Sequence, residues 1–279
     1  AKFRPQEIGQ IEIGYGLAIA DVDGDGLLDV FFGAAGGRSS LWRNRGEWRF
    51  EDITDKAFPQ RLESLGGDVT GVAAADVTGD GRPDLVLNTH ADGVRVLIND
   101  GQGSFRLRPF PQVSARGGHS LALADVDGDG DADLVYAMGH DYGVFWLEQT
   151  KENGKRAWKK HLIDDTWSVG HSPLWVDLDN NGIPEFVNGK RYRAHELRDP
   201  GALDPQVLYR YEFKQADGKF HRSDIMPKGG PAGIGLDPRA IDLDGDGDLD
   251  LVVPGRSGLY WFENLLKSPP PVPVKTTRR

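Results

Sequence analysis

The chain has 279 residues, no cysteine and a formal net charge of −10. The lack of cysteine excludes disulfides and thiolate chemistry and is compatible with an exported protein. The acidic balance argues against a nucleic-acid partner, and no apolar run approaches the roughly 18 residues of a membrane helix.

The first eight residues, AKFRPQEI, contain no apolar stretch typical of a signal peptide, as expected for a mature exported chain. A cytosolic chain could also lack cysteine, and we predict an extracellular or periplasmic, secreted protein. The segment mixes charged and apolar residues in the way that the outer strands described below do.

A nine-residue acidic pattern, DVDGDGLLD, begins at Asp21 and recurs four times. The later copies are DVTGDGRPD, DVDGDGDAD, DLDNNGIPE and DLDGDGDLD, which begin at Asp76, Asp125, Asp177 and Asp242. The spacing between starts lies between 49 (125 minus 76) and 65 (242 minus 177) residues. Repeats of this period indicate a solenoid, a propeller or another array.

Each copy lies among four short apolar runs bounded by turn residues, which is the pattern of strands. In the second repeat they are GVAAA before the motif, then LVLN, VRVLIN and SFRLRPF. Four strands per repeat at this period are typical of a propeller blade, with the Ala-rich strand at the crowded axis. The sequence therefore predicts an all-β, five-bladed β-propeller of four-stranded blades.

The last repeat ends after its third strand, LYWFEN, so we expect the N-terminal strand to pair there and close the ring. Residues 1–266 would then form a single propeller. Residues 267–279, a Pro-rich basic stretch, would form a tail or a linker to further domains.

The acidic pattern is similar to a calcium loop, because alternating Asp side chains in a tight turn direct oxygen ligands at one centre. We predict up to five Ca²⁺ ions. Binding should be weaker in the second loop, where Thr78 replaces an Asp, and the fourth loop has one negative charge fewer because Asn181 replaces an Asp. The simplest interpretation is that calcium has a structural role only and stabilises these turns. The predicted ligands are Asp21, Asp23, Asp25, Asp29, Asp76, Thr78, Asp80, Asp84, Asp125, Asp127, Asp129, Asp133, Asp177, Asp179, Asn181, Glu185, Asp242, Asp244, Asp246 and Asp250. These loops, flanked by strands over almost the whole chain, resemble the FG-GAP or VCBS repeats of integrin-type propellers.

Five of the seven histidines fall at the opposite end of the predicted blades, in the connections that enter the first strand or leave the second. They are His90, His119, His140, His171 and His195. Imidazoles can act as general acids and bases, and three or four together can hold Zn²⁺ or another transition metal. We predict a site there, with His119, His140 and His171 as its centre or as metal ligands.

Basic and aromatic residues accompany these histidines and indicate a small anionic substrate, although the loop that follows Lys190 also contains acidic partners for its own Arg residues. Tyr192 and Arg193 join the three central histidines as predicted catalytic residues. The predicted substrate-binding residues are His90, Tyr142, Trp167, Lys190, His195, Arg38 and Arg256, of which Trp167 would stack on a sugar.

The stretches GHSLALADVDGDGDADLVYAMGHDYG and GHSPLWVDLDNNGIPEFVNGKRYRAH are similar to propeller enzymes that eliminate across sugar rings, namely ulvan lyases and the propeller domain of aldos-2-ulose dehydratase. The resemblance implies a His pair, His119 and His140, with Tyr192 or Tyr142 and Arg193 on the uronate carboxylate. Those propellers have more blades than the five counted here.

Two functions remain open at this point. The chain is either a carbohydrate-active lyase or dehydratase, eliminating across an acidic or keto sugar, or a non-catalytic calcium-stabilised propeller that binds glycans or proteins. The concentration of histidines in the third and fourth blades favours one unique site and hence the enzyme. Neither function involves a membrane or a nucleic acid, and the fold alone does not distinguish the enzyme from the binding module.

Overall fold

The computed structural model describes residues 8, 14–34, 37–59, 68–90, 93–108, 121–153, 155–193 and 197–267. Nineteen strands and one four-residue helix, α1 (Thr54–Ala57), make up its regular structure. The described part of the chain contains no helix long and apolar enough to cross a membrane.

The strands form five antiparallel sheets, each built from strands that follow one another in sequence. Blade 1 contains β1 (Gly14–Ala20), β2 (Asp29–Ala34), β3 (Ser40–Asn44) and β4 (Phe50–Asp52). Blade 2 contains β5 (Val69–Ala75), β6 (Asp84–Thr89), β7 (Gly93–Asn99) and β8 (Phe105–Arg108). Blade 3 contains β9 (Leu121–Ala124), β10 (Asp133–Ala137), β11 (Tyr142–Glu152) and β12 (Lys155–Ser168). Blade 4 contains β13 (Leu174–Val176), β14 (Glu185–Gly189), β15 (Leu208–Lys214) and β16 (Lys219–Met226). Blade 5 contains β17 (Arg239–Ile241), β18 (Asp250–Gly255) and β19 (Gly258–Phe262).

The first strands of successive blades contact one another in the order β1, β5, β9, β13 and β17, so the blades stand side by side around an axis. The predicted all-β, five-bladed propeller is confirmed. Blade 5 has three strands among the described residues. The predicted N-terminal closing strand and the Pro-rich tail lie outside the described residues, except for Ile8 and Lys267.

The apolar core consists of four clusters, one between each pair of successive blades from blade 1 to blade 5. Strand alternation explains this arrangement, because successive side chains point to opposite faces of a sheet. In β6, for example, Leu85 and Leu87 pack towards blade 1, whereas Val86 packs towards blade 3. Each inner blade therefore buries both faces of its sheet.

Candidate functional site: acidic loops at one end and histidines at the other

Each acidic loop joins the first and second strands of its blade, so all five loops lie at the same end of the propeller. The first Asp of each loop shapes the turn. Asp21 Oδ1 accepts hydrogen bonds from the backbone N–H groups of Gly24 and Asp25, and its Oδ2 accepts one from Gly26. Gly26 has a φ of 84°, a conformation that favours glycine. The Asp-Gly spacing is thus required by the turn itself.

The ninth residue of each loop is a carboxylate that joins the loop to the third strand. In blade 2, Asp84 is fully buried, and its two oxygens accept backbone hydrogen bonds from Val77 at 3.1 Å and Asn99 at 2.8 Å. Val22 and Asn44 bind Asp29 in blade 1 in the same way. This position therefore serves the scaffold as well as the predicted ion.

Four of the five loops bring three carboxylates together, with one oxygen of each residue within 4.8 Å of the others. The second loop, which contains Thr78, is not among these groups in the described structure. This difference from the other loops agrees with the expectation that the second loop is the weaker calcium site. Its weaker binding stays a prediction. The converging groups are Asp21, Asp23 and Asp29; Asp125, Asp127 and Asp129; Asp177, Asp179 and Glu185; and Asp242, Asp244 and Asp246.

Electrostatics within these loops favour a cation. Burial raises the pKa of Asp133 to about 7 despite backbone hydrogen bonds. Burial and the nearby Asp179 raise the pKa of Glu185 to about 7, although Arg210 opposes this. One buried oxygen of Asp179 accepts no hydrogen bond. Three or more clustered oxygen donors and an unsatisfied carboxylate oxygen fit a hard divalent cation such as Ca²⁺.

Arginine side chains already neutralise part of the charge in several loops, and the first and fourth loops are examples. Arg43 forms ion pairs with Asp23 and Asp25, and Arg210 Nη1 lies 3.2 Å from both Asp179 and Glu185. We expect these guanidinium groups to move outward when an ion binds, because a bound cation would repel them.

Three histidines come together at the opposite end of the propeller. His90 follows β6, His140 lies between β10 and β11, and His171 precedes β13. The His140 ring centroid lies 5.1 Å from that of His90 and 5.8 Å from that of His171. His90 is exposed, His140 is half-buried and His171 is buried. This "histidine cluster" (His90, His140 and His171) lies where the strand directions predicted it.

Two charged residues hold the histidine cluster. His140 Nδ1 lies 3.3 Å from both carboxylate oxygens of Asp199. His171 Nε2 lies 3.1 Å from Arg191 Nη1 and its Nδ1 lies 3.3 Å from the Val169 carbonyl. Arginine can only donate, so this contact favours the tautomer of His171 that has its proton on Nδ1.

The long connection between β14 and β15 carries Asp199 and is fixed by a buried lysine. Lys190 is almost fully buried, and its Nζ donates hydrogen bonds to the Gly201 carbonyl at 2.6 Å and to Ser168 Oγ at 3.0 Å. Burial lowers the pKa of Lys190, whereas Asp204 and Asp199 raise it. The Tyr142 hydroxyl also donates a hydrogen bond to Asp204 of the same connection. These contacts place Asp199 against His140.

The model of the FG-GAP-like repeat family matches residues 21–87, 76–136 and 125–187, which together cover more than half of the chain. The chain belongs to the FG-GAP-like repeat family.

Curated relatives of this FG-GAP chain include integrin alpha pat-2 of Caenorhabditis briggsae, 26% identical over 220 residues. That match covers 63% of this chain and 18% of the relative. Integrin alpha-V of Gallus gallus is 24% identical over 231 residues, covering 71% of this chain and 21% of the relative. The chain thus spans about a fifth of the length of these relatives. A solved structure of the Photorhabdus luminescens Tc holotoxin pore is 19% identical with a TM-score of 0.41, covering 92% of this chain and 12% of that chain.

Several predicted site residues have structural partners in the FG-GAP propeller. Trp167 lies within β12 and not in a loop, is buried, and donates from Nε1 to the Tyr211 hydroxyl. Its role in the described structure is packing, and its stacking on a sugar stays a prediction. Lys190 is also buried with its amine bonded to Gly201 and Ser168, and its contact with substrate stays a prediction. Arg38 pairs with Asp52 and Asp55 of its own blade.

Three of the remaining predicted residues contact one another. The Arg193 guanidinium lies 5.1 Å from the centre of the Tyr192 ring, and the Arg193 carbonyl accepts a hydrogen bond from Arg256. Both ring nitrogens of His171 have hydrogen-bond partners, and the transition metal stays a prediction. The described histidines are not among the groups whose ligand atoms converge. The predicted His119 and His195 lie outside the described residues.

Sequence reasoning missed Asp199, Arg191 and Ser168. Asp199 and Arg191 belong to the loop whose charges were noted, yet their partners are histidines from other connections. The spacing of 59 residues between His140 and Asp199 carries no signal in a single sequence.

Proposed function

We propose that this FG-GAP propeller is a calcium-stabilised binding module that takes an acidic glycan at its histidine cluster. The converging carboxylates of the acidic loops carry the calcium part of the proposal. The cluster of His90, His140 and His171, with Arg191 against His171, carries the binding part. A site made once in five repeats differs from the scaffold features that recur in every blade.

The charges at this end suit carboxylate or sulfate groups. The Arg256 guanidinium donates a hydrogen bond to the Arg193 carbonyl, so these two residues lie together, and His90 is exposed. Arginine pairs with carboxylates and sulfates through two parallel hydrogen bonds. The ligand would therefore be a carbohydrate or another small anion, and neither nucleic acid nor a membrane.

Calcium in this proposal holds the loops and does not contact the ligand, because the two sets of residues lie at opposite ends of the blades. Extracellular calcium modules bind with dissociation constants of about 0.1 to 1 mM. An extracellular or periplasmic location supplies calcium at such levels, and we propose that location. The similarity to integrin alpha chains is compatible with it.

Calorimetric titration with uronate-containing oligosaccharides tests the binding function. We expect saturable binding with one site per chain, weakened at least about tenfold by His90→Ala. His161→Ala is the matched control, because His161 lies in β12 and stacks on Trp146, away from the cluster. Equal loss in both variants, or several equal sites per chain, would contradict the proposal.

A second candidate function is β-elimination, and the His140–Asp199 pair favours it. A carboxylate on Nδ1 fixes the ring orientation and makes the imidazole a better base. His140 would remove the proton next to a uronate or keto carbonyl. Arg193 would stabilise the oxyanion, and Tyr192 would donate a proton to the leaving group. The new double bond would appear as ultraviolet absorbance, which binding alone does not produce.

A further inference from the structure

The fourth acidic loop differs from the other four at its fifth position, where it has Asn181 followed by Gly182. Both residues are exposed, so water reaches them. A backbone nitrogen attacks an asparagine side-chain amide most readily when the next residue is glycine, because glycine has no side chain to obstruct the attack. The residues at the equivalent position of the other loops are Asp25, Asp80, Asp129 and Asp246.

Two hydrogen bonds hold this Asn-Gly pair in a reactive arrangement. Asn181 Oδ1 accepts a hydrogen bond from the Ile183 N–H at 2.7 Å, so the side chain of Asn181 folds over the intervening Gly182 peptide. A donor at this oxygen stabilises the negative charge that develops there during attack on the amide. The N–H of Gly182 donates to Asp177 Oδ2 at 2.8 Å, and this carboxylate can accept its proton. The loop therefore holds an electrophile, a nucleophile, a base and an oxyanion donor together.

We propose that Asn181 is a site of self-catalysed deamidation. The Gly182 nitrogen attacks the side-chain carbon Cγ of Asn181 while its proton passes to Asp177. The tetrahedral intermediate then expels Nδ2, which takes up that proton and leaves as ammonia, and a succinimide ring remains. A water molecule opens the ring at either carbonyl and gives aspartate or isoaspartate. The reaction consumes only this water and needs no oxidant, reductant or cofactor.

The third loop has the same turn but lacks the amide. Asp129 Oδ1 accepts a hydrogen bond from the Asp131 N–H at 2.8 Å, and Asp125 Oδ2 accepts one from the Gly130 N–H at 3.0 Å. The ionised carboxylate of Asp129 resists a nucleophile, because the attack would place a second negative charge on the same group. The reactivity of the fourth loop thus follows from one change of residue in a shared turn.

The product changes the fourth loop in one of two ways. Aspartate at position 181 gives this loop the three alternating Asp residues of the first, third and fifth loops, and more ligand charge tightens calcium binding. Isoaspartate adds a methylene to the main chain and breaks the register of the turn. This consequence rests on the proposed calcium role, whereas the deamidation itself does not.

Peptide mapping by mass spectrometry tests the proposal while the full chain is incubated near neutral pH in chelator. The second Asn-Gly pair of the chain, at Asn153, is the internal control, because Asn153 lies at the exposed turn between β11 and β12. We expect Asn181 to deamidate at least about tenfold faster than Asn153 in the folded protein, because general-base catalysis alone contributes about 10²–10⁴-fold. In concentrated urea the two rates should become similar, because the turn is lost.

Two variants separate the geometry of the turn from the Asn-Gly sequence. Asp177→Asn removes the base and should slow deamidation of Asn181 at least about tenfold, with no change at Asn153. Asp129→Asn, at an exposed position, places an Asn-Gly pair in the turn of the third loop and should create a second rapid site.

A folded protein in which Asn181 reacts no faster than Asn153 would overturn the proposal. So would an Asp129→Asn variant whose new Asn-Gly pair reacts only at the rate of Asn153. Asn181→Asp allows the calcium role to fail separately. If this variant binds calcium no more tightly than the wild-type chain, the result counts against the proposed calcium role and leaves the deamidation standing.

Discussion

His140 and Asp199 lie 59 positions apart in the sequence, yet the His140 Nδ1 atom is 3.3 Å from both oxygens of the Asp199 carboxylate. Their contact depends on a loop that carries Asp199 back over the end of blade 3. The buried amine of Lys190 donates a hydrogen bond to the Gly201 carbonyl of that loop. Five equivalent acidic loops form the scaffold of this protein, whereas its unique chemistry depends on this one connection.

The first prediction concerns calcium. Removing Ca²⁺ with a chelator should lower the melting temperature, because an ion bound only to the folded state stabilises it. The stabilisation is about 2.7 kcal/mol per site at 100 times the dissociation constant. Differential scanning calorimetry with and without excess chelator measures the effect. Restoring calcium should restore the melt, and a melt indifferent to the chelator would refute the calcium role.

The second prediction concerns the weakest loop. Thr78→Asp should add a carboxylate to the second loop and increase its calcium affinity, because more ligand charge tightens such sites. Thr78→Val should weaken that one site and leave the others unchanged. Calorimetric titration of calcium into each variant checks both expectations. Identical binding curves for the two variants would show that the second loop binds no ion.

The third prediction separates scaffold from ion binding. Asp84→Asn should destabilise the protein even in chelator, because the amide offers an N–H₂ group where a backbone N–H requires an acceptor. One unsatisfied buried donor costs about 1–3 kcal/mol. Asp80→Asn in the same loop, at an exposed position, should change stability by less than about 0.5 kcal/mol. Urea unfolding measures both, and equal losses would contradict this role of Asp84.

The fourth prediction concerns acid stability. Burial would raise the pKa of Asp164, but hydrogen bonds from Thr166, Tyr211 and Arg222 lower it overall. Ionised Asp164 therefore stabilises the folded state fully above its unfolded pKa of about 3.9. This stabilisation is lost as the pH falls through the lower pKa of the folded state.

Asp164→Asn should remove about 3 kcal/mol at neutral pH and flatten the loss of stability below about pH 4. The neighbouring exposed residue gives the control, Asp165→Asn, which should retain the wild-type profile. Urea unfolding between neutral and acid pH, in chelator throughout, compares the three proteins. A parallel acid profile for Asp164→Asn would contradict the assignment.

The fifth prediction concerns Lys190. Lys190→Met should leave the Gly201 carbonyl without its donor and cost about 1–3 kcal/mol. Hydrogen exchange at residues 197–204 should accelerate, and binding at the histidine cluster should weaken. The exposed residue Lys228 provides the control, Lys228→Met.

Burial lowers the pKa of Lys190, so the folded state disfavours the charged amine. Its penalty should diminish as the pH rises from that lowered value towards about 10.4, the unfolded value. Wild-type protein should therefore gain stability relative to Lys190→Met across that alkaline range. A constant difference between the two proteins would mean that Lys190 does not titrate there.

The repeat was sufficient to predict the blades, the strand order and the two ends of the propeller. Periodicity is a local signal, and antiparallel strands alternate direction, so His90, His140 and His171 could be assigned to one end. The acidic loops were equally predictable, because their turns require Asp and Gly at set positions.

Residues whose roles depend on tertiary contacts were not predictable. Lysine and tryptophan near an expected site suggest ligand contacts, whereas the side chains of Lys190 and Trp167 donate hydrogen bonds to other groups of the protein. The partners of both residues, Gly201 and Tyr211, lie in other elements.

The carbonyl of Val22 in the first acidic loop accepts a hydrogen bond from Asn99 of blade 2 at 2.7 Å, and Leu178 of the fourth loop accepts one from Asn264 of blade 5. Each carbonyl belongs to the residue that follows the first Asp of its loop. Ordering one loop around an ion therefore also orders the bridge to the next blade. We therefore expect ion occupancy at neighbouring loops to be thermodynamically linked, with a calcium saturation curve steeper than that of independent sites.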